Sequence, residues 1–403
     1  MAEVSPRGRA VDRGKSVAQI AVAYVGFAVV GLGVGLQGVA WPYIRSDFGL
    51  PLDAVGMLIA VTTAGSIVSS FNGGLIVSLI GVGPLLALSS TAAALGLLGY
   101  GLAPNWWLMV LTGLVSGIGS GTMHVGLNAH FAANYGLGRI NWLHACFGIG
   151  ATLGPLVMTA ILGADLSWRW AYGVAAVAMA SVAIYFTFTR SRWSGAAKSA
   201  VKALSPDAGG RSLATLRLPM VWLSLLLFFS YTGVEATAGQ WAYSLFTEVR
   251  SVAESTAGFW MSVYWGGLAA GRLMLGGVAD RIDVRALLRL CIFCVVVGAA
   301  FIWWQPTDLL SFLGLALMGF AQGPIFPSLV SGTSRRVDAG HVDNAIGFQV
   351  AAASLGVAVL SSLAGVAAER ITLEIIGPFL VACSGLTFIL HEMIVRRVEG
   401  AEA

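Results

Sequence analysis

The chain has 403 residues, of which 57% are hydrophobic and only 10% charged, and 23 Lys and Arg against 19 Asp and Glu give a formal charge of +4. A mean hydropathy of +0.82 excludes an ordinary soluble domain, whose surface needs far more polar side chains than this. The composition is that of a membrane protein, and its basic balance is explained by topology, leaving no reason to invoke a nucleic-acid partner.

Apolar runs of about 20 residues, each long enough to cross a hydrocarbon core of ~30 Å as a helix, recur along the chain. The first covers 17–41 and follows a basic stretch with Arg7, Arg9, Arg13 and Lys15. It is too long for the apolar core of a secretion signal and leads straight into another span, so it is expected to remain as a helix. Eleven more follow at 54–80, 84–103, 106–128, 140–163, 169–189, 219–246, 255–279, 286–305, 309–331, 343–366 and 373–395. The reading is an all-α membrane protein with twelve transmembrane helices. A tail over 1–16 precedes a six-helix bundle over 17–189, a basic linker over 190–218, a second six-helix bundle over 219–395 and a tail over 396–403.

An even helix number puts both termini on one side. The tails and connections of that side hold 18 of the 23 Lys and Arg, the opposite loops hold Arg45, Arg169, Arg250 and Arg370, and Arg272 lies within a span. Basic residues favour the cytoplasmic side, so both termini are expected there, in the cytoplasmic (inner) membrane. The four cysteines, Cys146, Cys291, Cys294 and Cys383, all fall inside spans. The C-x-x-C of Cys291 and Cys294 lacks a second pair or a redox-fold context, so packing is the expected role, with no metal and no cofactor.

At an offset of 202 residues, glycine falls on glycine ten times, among them 56/258, 96/298, 117/319 and 121/323. Chance gives roughly three, so the chain reads as two copies of one six-helix unit. Six is even, so both copies share one orientation, the arrangement of the two halves of major facilitator transporters. Glycine is kept where helix backbones cross closely in lipid.

In the fourth helix, "GLVSGIGSGTMHVGLNAHF" places Gly117, Gly121, His124 and Asn128 at steps of four, three and four, on one face. In the fifth, "NWLHACFGIGATLGP" does the same with Asn141, His144, Gly148 and Thr152. Together the two polar faces are read as a cavity lining, although for either histidine a hydrogen bond between helices is an equal alternative. The seventh helix holds "YTGVEATAGQW", where Glu235 is the one acid well inside a span, with Tyr231 one turn before it. An ionised carboxylate costs several kcal/mol at such a depth, so Glu235 is read as a proton or substrate site, against a structural hydrogen bond.

After the eighth helix comes "GRLMLGGVADRIDVR", which resembles the major facilitator signature G-x-L-A-D-R-x-G-R-R. Gly276, Asp280, Arg281 and Arg285 match it, and Asp283 stands where the signature has glycine. The resemblance implies a cytoplasmic gate built on those residues. The equivalent stretch of the first half, "GGLIVSLIGVG", has Ser78, Leu79 and Val82 in place of the charges, so charged gating is expected mainly in the second half. In the tenth helix, Gln322 beside Gly323, Pro324 and Pro327 predicts a bend that frees carbonyls, and the eleventh adds Gln349. Trp241 or Trp265 is suited to stacking on an apolar sugar face, whereas Trp106, Trp107, Trp168, Trp170, Trp303 and Trp304 read as interface anchors.

Several pieces, "GVAWPYIRSDFGL", "NWLHACFGIGATLGP", "YTGVEATAGQW", "MGFAQGPIFP" and "NAIGFQVAAASLG", resemble the fucose/proton symporter family and its prokaryotic relatives, including permeases for glucose and mannose. One departure is His124, where many relatives have aspartate. The resemblance implies the major facilitator fold and a monomer that carries a small polar solute, a sugar or a related compound, by alternating access with proton coupling. Efflux of an amphiphile is the alternative, because "GIGATLGP" partly resembles an antiporter motif. An intramembrane enzyme using His144 and Glu235 is not expected, since tandem six-helix halves suit transport.

Overall fold

The computed structural model describes residues 6–135, 137–193, 214–276 and 283–402. They are helical almost throughout, with no strand among the described residues. In chain order the long helices are α1 (Pro6–Phe48), α2 (Val55–Ile80), α3 (Val82–Leu102), α4 (Trp106–Asn134), α5 (Leu137–Gly163) and α6 (Arg169–Thr189). After the linker come α7 (Pro219–Ser244), α8 (Glu254–Gly276), α9 (Val284–Trp304), α10a (Asp308–Gln322), α10b (Ile325–Ser331), α11 (Val342–Arg370) and α12 (Ile376–Glu402). Their starts carry the expected chemistry. Asn105 accepts a hydrogen bond from the Leu108 amide, Thr307 from that of Leu310, and Pro219 opens α7 where no amide donor is needed.

Among the described residues, eleven of the spans are long and apolar enough to cross a membrane. The twelfth, α8, is a helix of 23 residues whose glycines, Ser262 and Arg272 lower its hydropathy. Fewer of its positions face lipid, because it packs against α5 on one side and α10a on another, although Phe259, Leu273 and Met274 remain exposed.

The first six helices pack α1 on α5 and α6, α2 on α4, and α3 on α4 and α6. The last six repeat this pairing, α7 on α11 and α12, α8 on α10a, and α9 on α10a and α12. The glycine coincidences mark equivalent crossings. A Cβ on Gly117 would lie 2.0 Å from the Thr62 carbonyl oxygen, and one on Gly319, its counterpart, 2.2 Å from the Tyr264 carbonyl oxygen. Thr62 and Tyr264 are themselves 202 residues apart. The contact between the halves repeats in the same way, with Gly56 of α2 against Ser362 of α11 and Gly258 of α8 against Thr159 of α5.

Loop charges pin the end remote from the termini. Arg250, its side chain buried, pairs with Glu374 at 2.6 Å and donates to the Ile302 carbonyl at 2.9 Å. Of the expected interface tryptophans, Trp107, Trp170, Trp303 and Trp304 are exposed, but Trp106 and Trp168 are buried. The correction has a polar cause for Trp168, whose indole N–H donates to Asp47 at 2.8 Å.

Candidate functional site

The site begins with an i, i+4 pair on α7. Tyr231 Oη lies 2.6 Å from Glu235 Oε2 and 3.0 Å from the Gln322 carbonyl oxygen. That carbonyl is free because the chain breaks between α10a and α10b at Gly323 and Pro324, as the sequence predicts. Tyr264 of α8 completes the cluster, with its hydroxyl 2.8 Å from both the Glu235 backbone oxygen and the Gln322 side-chain amide. Tyr231, Tyr264 and Gln322 are buried and Glu235 is half-buried.

Around this cluster, buried polar atoms face no protein partner: the amides of Gln37, Gln240 and Gln322 and the indole N–H of Trp265. Backbone contact gathers them. A Cβ on Gly38 would lie 2.4 Å from the Gly239 carbonyl oxygen, so α1 touches α7 where Gln37 and Gln240 lie in sequence beside the two glycines, and Gly239 rests against the Trp265 ring. An unpaired polar group in an apolar surround costs about 1–3 kcal/mol. Several of them at one junction make it the candidate place for a polar ligand. Amides, which donate and accept, suit hydroxyl groups, which do both.

Arg272 sits nearby as the cation that the sequence of α7 does not reveal. Its Nε donates to the Gly323 carbonyl at 3.3 Å. Its charge reaches Tyr231, Tyr264 and, from the other half, His144. Gln37, Gln240, Tyr264 and Arg272 were absent from the sequence-based site. Gln37 and Arg272 carried a signal, a strongly polar side chain within an apolar span, while Tyr264 carried none.

The histidines of the first half are engaged locally. His144 Nε2 lies 3.2 Å from Asn128 Oδ1, and Asn128 Nδ2 donates to the His124 carbonyl at 2.9 Å. The His124 ring packs on Phe27, centroids 4.5 Å apart, with Phe147 at 5.9 Å. This is the bond between helices that the sequence left open as the alternative to a cavity. Asn141 is exposed at the beginning of α5, close to the end bearing the termini.

Two further expected residues lie apart from the junction. Trp241 is fully buried, and its indole N–H donates to the Ser361 carbonyl at 2.9 Å while its ring covers Gly365. Gln349 accepts from Thr333 Oγ1 at 2.9 Å and ties α11 to the chain after α10b.

Of the expected gate, Gly276 ends α8, and Asp280 and Arg281 lie outside the described residues. Arg285 is 3.8 Å from Asp283 and 3.7 Å from Glu399, both in its own half. Asp283 also caps α9 by accepting from the Arg285 amide, which gives a physical use for an acid where the signature has glycine.

The Major Facilitator Superfamily profile matches residues 23–361 and, separately, 223–397. The chain belongs to the major facilitator superfamily. The Glucose/mannose transporter GlcP of Bacillus subtilis (strain 168) is 22% identical over 348 residues, covering 85% of this chain and 86% of that protein. The Sodium-dependent glucose transporter 1 of Homo sapiens is 22% identical over 378 residues, covering 84% and 71%. Among solved structures, that of the nucleoside transporter NupG superposes with a TM-score of 0.77 at 14% identity, over 93% of this chain and 98% of the other. The Escherichia coli Fucose:proton symporter FucP gives 0.62 at 14% identity over 94% and 98%. These structural likenesses establish the fold. This facilitator is a multi-pass membrane transporter, and its relatives are transporters rather than enzymes.

Proposed function

We propose that this facilitator moves a small polar solute, a sugar or a related polyhydroxy compound, across the cytoplasmic membrane by proton-coupled alternating access, as a monomer with both termini cytoplasmic. The carrying observation is the junction of α1, α7, α8 and α10a, where the helices that hold the half-buried acid Glu235 and its tyrosine partners also carry buried unpaired amides and an indole N–H. Sugar transporters among the relatives support the solute class.

Proton counting supports the coupling. Tyr231 Oη faces two acceptors, the Glu235 carboxylate and the Gln322 carbonyl, with one proton of its own. Both contacts become full hydrogen bonds when Glu235 carries a proton, because it then donates to Tyr231 and Tyr231 donates to Gln322. An ionised Glu235 competes for the Tyr231 proton and leaves the carbonyl unpaired. The proton state of one side chain thereby decides whether α7 is tied to the α10a break.

The halves support the cycle. Hydrogen bonds between them join Arg45 to Glu248, Tyr43 to Tyr243, the Leu52 amide to Glu369 and Ser362 to the Gly56 carbonyl, all at the end remote from the termini. Toward the other end Gly148 of α5 still meets Ala269 of α8, while Asn141 and Trp142 near the start of α5 are exposed. This is the arrangement of a transporter open on the side of its termini.

The test is Glu235→Gln in purified protein reconstituted in liposomes. The expected result is loss of pH-driven accumulation of glucose or mannose with solute exchange retained, because exchange needs no net proton movement. Accumulation with unchanged pH dependence would overturn the proton role of Glu235. Absence of binding to any sugar in the wild-type protein would overturn the solute class.

A further inference from the structure

A cavity of about 130 Å³ opens at the termini end of the second half, between α9, α10b and α12, and none of the residues of the central junction line it. That volume is well above the ~10–15 Å³ needed to seat one water. Its walls are apolar, formed by Val284, Leu288, Ile394 and Val395, and its polar lining is nearly all basic, Arg285, Arg335, Arg336 and His391.

The local carboxylates are already engaged. Glu392 forms a two-pronged pair with Arg289 at 2.7 and 2.8 Å and touches His391 at 3.3 Å, while Glu399 and Asp283 face Arg285. Arg335 and Arg336 have no carboxylate within 4.0 Å among the described residues. The only described hydrogen bond of the Arg336 side chain is a long one, 3.4 Å, to the Leu329 carbonyl. Burial, and after it the neighbouring Arg335, push the Arg336 guanidinium down to about 10. A half-buried guanidinium next to a second cation is unfavourable unless an anion joins them, and the planar fork of arginine matches phosphate oxygens in pairs.

We infer that this cavity is a binding site for a phosphate group, held by Arg336 and Arg335 with Arg285 at the rim. The apolar walls directly beneath the cations suit an anionic phospholipid, whose phosphate would meet the arginines and whose glycerol and first methylenes would fill the rest. A soluble phosphate ester has the same charged chemistry and nothing for the walls. The site ties α9 and α12 to the end of α10b, so its occupant would brace the second half at the end where the proposed cycle opens.

The full-length protein, purified in a neutral detergent, is titrated with phosphatidylglycerol, with phosphatidylcholine, and with inorganic phosphate or glycerol 3-phosphate. Bound ligand is counted by native mass spectrometry, and thermal stability is followed in parallel. The expected result is that phosphatidylglycerol binds and raises the melting temperature while phosphatidylcholine does not. Arg336→Gln, and independently the exposed Arg335→Gln, should weaken that binding at least fivefold, whereas Arg217→Gln, a basic residue elsewhere on the same end, should leave it unchanged. Binding of the soluble phosphates with the same arginine dependence supports the site and assigns it to a soluble ester. Equal binding of the two lipids, or phosphatidylglycerol and phosphate binding that neither Arg335→Gln nor Arg336→Gln reduces, overturns it. Arg335→Gln keeps the test decisive if the Arg336 variant fails to fold, because the Arg335 side chain is exposed.

Discussion

Gln322 and Gln349 are chemically identical and both lie in the second half of the transporter, and an amide serves a sugar hydroxyl equally well in either place. Their surroundings separate them. The Gln322 amide oxygen meets Tyr264 and its nitrogen has no protein partner, whereas Gln349 is already bonded to Thr333. Replacing Gln322 or Gln240 by Ala should therefore weaken solute binding by about tenfold, or roughly 1.4 kcal/mol. Gln349→Ala should change thermal stability and leave binding within about twofold. Isothermal titration of the three variants checks this, and a larger binding loss for Gln349→Ala would move the site away from α1 and α7. The sequence made Glu235, Tyr231 and Gln322 legible because each is a polar side chain or helix break in an apolar span. It could not separate Gln322 from Gln349, because the difference lies in which neighbour has already taken the hydrogen bond. Nor could it expose Tyr264, since tyrosine is common in membrane helices and only the crossing of α8 over α10a brings its hydroxyl to Glu235.

At the scale of elements, the spans, their order and their glycine crossings were readable because length, hydropathy and a fixed 202-residue offset need no tertiary knowledge. The eighth span shows the limit. Hydropathy treats polarity as distance from lipid, yet α8 is polar because its inner faces meet α5, α7 and α10a. Two of the six tryptophans read as interface anchors are buried for a similar reason, since a residue at the correct depth can still point inward. The glycines divide in the same way. Gly319 meets the Tyr264 carbonyl, while a Cβ on Gly173 would meet nothing within 4 Å. Gly319→Ala forces α8 and α10a apart at a packed crossing and should cost about 1–3 kcal/mol. Its melting temperature in detergent should fall by several degrees and solute binding should fall with it, because Tyr264 and Gln322 meet at that crossing. Gly173→Ala should be neutral in both. Equal stability of the two variants would mean that the crossing relaxes freely and that the repeated glycines are not packing constraints.

For the whole molecule, the decisive property is how the two halves divide their contacts between the two ends. The sequence placed gating charges at the termini end through Asp280, Arg281 and Arg285, and the first two lie outside the described residues. The opposite end is held by an ion pair that no motif announced, Arg45 with Glu248, residues that come together only because α1 and α7 run side by side across the pseudo-symmetry. With side chains 29% and 24% exposed, the pair is partly shielded from solvent and spans the two halves, so reversing one charge acts directly on their separation. Arg45→Glu should bias the molecule toward opening at the end remote from its termini. With the native cysteines removed, a cysteine in place of Ser362, which lies against Gly56 across that closure, should label slowly with an impermeant thiol reagent applied to that face. Adding Arg45→Glu should raise the labelling rate by roughly 3–10-fold, the population shift that about 0.6–1.4 kcal/mol produces. Arg45→Glu with Glu248→Arg restores the attraction with its ends exchanged and should bring the rate back toward the starting value. A rise with Arg45→Glu that the double exchange fails to reverse would trace the effect to damaged packing near Arg45 rather than to a charge holding the halves together.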